Sequence, residues 1–222
     1  MIWWLRQRGA LGLLPGALLA FALSVVLTLH VVLVFPAFLG DYSMATQLSN
    51  FLCLIPSIAL VVCLERRMPS VERSAVRRLD ARDVVLVTGF ALLATGVAAT
   101  MALFGPDELW TAARNNLLFC GFALGAWPLL GHRATLLPAF WMAQAMFLGG
   151  RARNDPYPWV IVTEEPGVVP AAAGAAAVFL AGVLSLICSA CSARSACFLR
   201  FLRFLRFLRS ARSACFASRT VR

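Results

Sequence analysis

Lysine is missing altogether from this chain, and all 20 basic residues are arginine. That absence removes the phosphate-binding loop ending in Gly-Lys-Ser/Thr, together with any chemistry that runs through a lysine Schiff base. Charge of either sign is scarce, at 14% of 222 residues, where an ordinary soluble domain carries roughly 25%. Only two histidines are present, His30 and His132. They are predicted at different depths, and Glu164 and Glu165 sit in a loop with no histidine near them in sequence. General acid–base catalysis therefore has no constellation to use, and no enzyme activity or cofactor is expected. The seven cysteines are an odd count, and most fall in apolar runs or in the C-terminal tail, so no disulfide framework is expected. Cys188 and Cys191 form a CxxC without a second cysteine or histidine pair, which falls short of a zinc site.

Apolar residues make up 61% of the chain, and the mean hydropathy is +0.82. Soluble domains hold about 45–50% apolar residues. A soluble fold and disorder across most of the chain are thereby excluded, and a multi-pass protein of the cell membrane is expected. Six apolar segments predict an all-α membrane domain over residues 1–191, with helices at about 11–38, 47–64, 84–104, 117–131, 134–150 and 168–191. The run 84–104 is free of charge and long enough to cross a hydrocarbon core of about 30 Å. The runs 117–131 and 134–150 are short and separated only by His132 and Arg133, so they read as a tight hairpin, with re-entry into the membrane as the alternative for either. The first run is too long for the 7–15 apolar residues, roughly, of a cleavable secretory signal.

Arginine placement sets the orientation, because positively charged loops stay on the cytoplasmic side. With six spans, seventeen arginines fall on one side and only Arg114, Arg151 and Arg153 on the other. Six of the ten acids, namely Asp41, Asp107, Glu108, Asp155, Glu164 and Glu165, share the side with those three. Both termini are then cytoplasmic. The net charge of +10 is accounted for by topology, and no nucleic-acid partner is required.

Three groups of residues stand out. The segment from Glu65 to Asp83 carries Glu65, Arg66, Arg67, Glu72, Arg73, Arg77, Arg78 and Asp80, which reads either as a solvated topology-setting loop or as a docking element for a soluble partner. Ala94, Ala98 and Ala102 in the third run, and Ala173, Ala177, Ala181 and Ser185 in the sixth, repeat at four-residue spacing. Such small residues let helices approach closely in lipid, as static packing or as a surface for dimerisation or sliding. His30 and Gln144 are polar residues predicted inside spans, fitting either an interhelical hydrogen bond or a pathway lining. Neither has the partners that a metal site or proton relay needs.

Residues 192–222 are a repetitive arginine-rich tail. Ser-Ala-Arg-Ser-Ala-Cys-Phe occurs at 192–198 and again at 210–216, and Phe-Leu-Arg runs four times in succession over 198–209, starting on the last residue of the first copy. Arginine at every third position is the voltage-sensor spacing, but no acid lies within the six spans to pair with it. A period of three also drifts about 60° per repeat around an α-helix, so the arginines do not form one polar face. Binding to anionic lipid and a tract without selected function are the readings left.

The run Ala113-Arg114-Asn115-Asn116-Leu117-Leu118 opening the fourth helix, Tyr157-Pro158-Trp159 before an alanine-rich last helix, and the arginine-rich loop after the second helix are similar to features of one family. Over roughly residues 45–187 the chain resembles the permease subunit of bacterial ABC-type exporters. The resemblance implies transport of a substrate, a cytoplasmic ATP-binding subunit docked on the loop at Glu65–Asp83, and pairing with a second permease half as a homodimer or heterodimer. The lack of a P-loop lysine agrees with ATP being held elsewhere. A membrane scaffold or accessory protein, whose basic tail recruits lipid or a partner, is the competing reading.

The orientation is directly testable. A reporter active only in the cytoplasm should be active when fused after Gln7 or Arg222 and inactive when fused after Pro156; activity at Pro156 overturns the arginine-based topology.

Overall fold

Side-chain chemistry divides the first apolar run into two kinds of structure. Helix α1 spans Ala10–Leu27. At its end Ser24 Oγ donates to Ala20 O at 2.5 Å, and Thr28 Oγ1 donates to Ser24 O at 2.8 Å. Beyond it the β-branched Val31, Val32 and Val34 favour extended backbone, and Pro36 cannot supply a helical N–H. Strand β1 (Val32–Pro36) accordingly pairs antiparallel with β2 (Ser43–Gln47), Val32 opposite Gln47 and Pro36 opposite Ser43. The single helix expected over 11–38 is thus corrected to a shorter helix and one strand of a hairpin.

The computed structural model describes residues 5, 9–28, 30–36, 43–66, 81–148, 161–163 and 167–191. These are predominantly helical. A one-turn helix α2 (Ser49–Leu52) leads through Cys53 into α3 (Leu54–Glu65), with Pro56 in the first turn of α3, where its missing N–H breaks no bond. Helix α4 runs Ala81–Phe104 and α5 runs Glu108–Leu130. A 3-10 turn at Gly131–Thr135 leads to α6 (Leu136–Leu148), a second lies at Ile161–Thr163, and α7 spans Val169–Cys191. Gly131 has φ +54, a conformation that disfavours any residue with a Cβ, and this turn reverses the chain between α5 and α6.

Helix α5 is the axis of the bundle. It packs most extensively against α7, then against α4 and α3. Every residue from Thr111 to Asn116 is buried, as are Leu118, Phe119, Cys120, Gly121, Ala123, Leu124 and Ala126. The sequence places a fourth helix at about 117–131. The observed start lies earlier, where Glu108 puts an acid in the first turn next to the positive end of the helix dipole.

The contact between α5 and α7 is close because three glycines meet there. A Cβ on Gly121 would lie 2.7 Å from the backbone of Phe179, one on Gly182 would collide with the Gly121 carbonyl, and one on Gly125 would reach Gly182 Cα at 3.4 Å. Ser185 Oγ donates to Gly125 O at 3.3 Å across the same contact. Around it, Cys120, Leu124, Phe179 and Leu186 join one apolar cluster, while Leu118, Phe119, Val162 and Ala175 join another.

Among the described residues, three helices are long and apolar enough to cross a membrane: Ala10–Leu27, Asp83–Phe104 and Val169–Ser189. At about 1.5 Å per residue they measure about 27–33 Å. Ser49–Glu65 is a shorter apolar stretch. Large apolar side chains lie exposed on these helices, among them Leu19 and Leu23 on α1, Leu92, Leu93 and Phe104 on α4, and Leu180 and Leu184 on α7. Large apolar side chains left exposed on helices long enough to cross a membrane are what a bilayer, as solvent, accommodates, and they mark the chain as a membrane protein.

Replacing Gly121 with valine should lower thermal stability in detergent by about 1–3 kcal/mol or more, because the backbones cannot separate without losing the whole contact. Gly96→Ala, where an added Cβ meets nothing within 4 Å, should be neutral or stabilising by up to about 1 kcal/mol. Equal melting temperatures for the two variants would exclude the close contact.

Candidate functional site

Polar side chains inside a bundle of this composition have to be satisfied internally, and here they converge on the first half of α5. Asn115 is fully buried. Its Nδ2 donates to Asn50 Oδ1 at 3.0 Å and to Val162 O at 2.9 Å. Asn50, in α2, donates in turn to Thr46 Oγ1 of β2 at 3.1 Å. Cys53 Sγ lies 3.3 Å from Ala112 O, fastening the α2–α3 junction to the same stretch of α5. One asparagine therefore ties together the hairpin, α2, α5 and the turn at 161–163.

Asn116, one residue on, faces the other way. Its Nδ2 donates to Thr95 Oγ1 at 2.9 Å, while Thr95 Oγ1 donates to Ala91 O at 2.9 Å, so α5 and α4 are joined at the same level. Cys120 Sγ lies 3.7 Å from Asn116 Oδ1. Arg114 is buried beside the pair, at 7% exposure. This Arg114–Asn115–Asn116 triplet is the polar centre of the molecule, and it sits inside α5 and not at its opening.

The residues singled out from sequence distribute as follows. Ala94, Ala98 and Ala102 are all buried and continue the inward stripe of α4 that begins at Asp83, Val87 and Ala91. In α7, Ala173 and Ala177 are exposed and Ala181 and Ser185 half-buried, while the inward stripe is Ala171, Ala175, Phe179, Gly182 and Leu186. His30 lies beyond the end of α1 in an exposed turn, Gln144 is half-buried in α6, and no hydrogen bond joins them. Glu65 and Arg66 end α3, both exposed. Glu65 Oε1 lies 3.5 Å from His132 Nδ1 in the α5–α6 turn, and the Arg66 guanidinium covers Gly9 at the start of α1. Arg67, Glu72, Arg73, Arg77, Arg78 and Asp80, and the whole tail 192–222, lie outside the described residues.

Sequence reasoning missed Asn50, Thr46 and Asn116 as interior groups, and missed the three glycines. A usable signal was present for Asn116: once α5 is started at Glu108, Asn115 and Asn116 fall two turns inside it, where a polar side chain of a membrane helix faces the bundle interior. Among the described residues, no three His, Cys, Asp or Glu side chains gather where they could hold a metal ion. The donors and acceptors of the centre are amides, hydroxyls, thiols and one guanidinium, a set suited to hydrogen-bonded binding and positioning.

No protein-family model, curated protein or solved structure matches the chain.

A double-mutant cycle tests the centre. Asn50→Ala and Asn115→Ala should couple by about 0.6 kcal/mol, and by no more than about 1.7, the range of hydrogen bonds between membrane helices. Asn50→Ala with Thr95→Ala, which belong to separate networks, should be additive. Additivity in the first pair would mean that the Asn115–Asn50 bond does not form in solution.

Proposed function

We propose that the chain is the permease subunit of an ABC-type exporter in the cell membrane, spanning it six times with both termini inside, and that a separate cytoplasmic subunit binds and hydrolyses the ATP. The observation that carries this reading is the attachment of the arginine-rich segment. Residues 67–80 connect the end of α3 to the start of α4, and both helices pack against α5, which holds the buried Arg114–Asn115–Asn116 triplet. A partner bound to that segment would push on two helices at once, and both bear on the polar centre. Closure of the partner on ATP would then bias the bundle between two arrangements, which is what alternating access needs.

Two further observations support the reading. The chain holds no lysine and so no P-loop of its own. Buried polar groups, among them the ionisable Arg114, are collected in the interior of a bundle with large apolar side chains on its outer faces, and an ionisable residue inside a membrane bundle fits a pathway or substrate site. A second permease half, identical or not, would complete the pathway.

The test is affinity purification of the tagged full-length chain from native membranes in mild detergent, beside a variant with residues 67–80 scrambled and a truncation after Cys191. An ATPase should co-purify with the full-length chain and the truncation and be lost from the scrambled variant. Absence of any ATPase, with lipid or another protein retained through the tail, replaces the permease with a membrane scaffold.

A further inference from the structure

The hydrogen bonds of Asn115 do not close on themselves. Both N–H groups of its amide are committed, to Asn50 Oδ1 and to Val162 O, and those two acceptors fix which way the amide points, since turning it over would set oxygen against oxygen. The remaining atom, Oδ1, is buried, and among the described residues no group donates to it. Its neighbours hold their own bonds: Asn50 Nδ2 donates to Thr46, Ser49 Oγ to Gln47 Oε1, and Cys53 Sγ faces carbonyls. Buried acceptors in native proteins find a donor, and where the chain supplies none an ordered small molecule does.

We propose that Asn115 Oδ1 is the anchor of a binding site at the junction of α2, α5 and the turn at 161–163, and that the site takes a neutral hydrogen-bond donor, an O–H or amide N–H. The sign of the surroundings selects that chemistry. A cation is disfavoured because, among the described residues, the network is built of amides, a hydroxyl and a backbone carbonyl and holds no carboxylate. An anion is disfavoured because the waiting atom is itself an acceptor. What fits is an uncharged hydroxyl or amide, contributed either by water or by an organic solute. The site does not depend on the exporter reading, since a buried acceptor needs a donor whether or not an ATPase binds at residues 67–80.

The experiment is structure determination of the full chain in lipid nanodiscs, at a resolution that shows ordered water, on two preparations. One is purified from native membranes, and the other is synthesised cell-free into nanodiscs of a single defined phospholipid. A feature within hydrogen-bond distance of Asn115 Oδ1 is expected. A round peak in both preparations identifies water as the donor, and an elongated feature only in the native preparation identifies a host solute, which native mass spectrometry should detect as an adduct lost from Asn115→Leu. No feature in either preparation, or a side chain of the protein donating to Oδ1, overturns the proposal, and the wild-type structures decide it even where Asn115→Leu fails to fold.

Discussion

The arrangement of this molecule follows from one constraint: helix α5 carries two amides and a guanidinium in consecutive positions, and all three are buried. Consecutive residues on an α-helix point about 100° apart, so no single partner can satisfy all of them. Each neighbour of α5 accordingly takes one direction. Asn115 is met by α2 and the turn at 161–163, Asn116 by Thr95 of α4, and the backbone at Ala112 by Cys53. Leaving one such group unmet costs about 1–3 kcal/mol, a large part of the stability of any domain. The hairpin belongs to the same account. A two-stranded ribbon is marginal alone, and this one is held where Thr46, at its end, accepts from Asn50.

The opposite face of α5 is governed by the other extreme, the absence of side chains. Gly121, Gly125 and Gly182 let two backbones come as near as they can, and nothing larger fits at Gly121 or Gly182. In a solvent of lipid tails there is little hydrophobic gain in bringing helices together, so close van der Waals contact and bonds such as Ser185 to Gly125 O supply the attraction. Helix α5 is thus polar toward α2 and α4 and bare toward α7. The α5–α7 pair is the part of the bundle with no spare volume.

Legibility from sequence follows the same division. Helix existence was readable wherever a long uncharged run had no competing signal: the run 84–104 and the observed Ala81–Phe104 nearly coincide, as do 168–191 and Val169–Cys191. The hairpin was not, because Val31–Pro36 continues the apolar character of α1 and only its β-branching and Pro36 separate them. The first residues of α5 were hidden by their polarity: a search for uncharged runs stops at Arg114, and the buried polar segment is then assigned to a loop. The inward face of α7 could not be chosen from a helix so rich in alanine that several four-residue stripes are equivalent. Phe179, Leu186 and Gly182, and the glycines of a helix distant in sequence, make the choice.

The helices are also attached to one another in different ways. The end of α3 is held to the α5–α6 turn by Glu65 and His132, whose side chains are 50% and 66% exposed. An exposed pair of this kind contributes no more than about 1 kcal/mol. Arg66 lies over Gly9, where the backbone has φ +63 and no side chain to obstruct it. These surface contacts add register to a helix held mainly by burial, with Leu60, Val61, Cys63 and Leu64 inside the bundle. Separating α5 from α7 instead gives up a backbone-to-backbone contact along several turns. Any displacement of α2 or α4 against α5 would strain the Asn115–Asn50 or the Asn116–Thr95 hydrogen bond, so the polar centre fixes the level at which these helices meet.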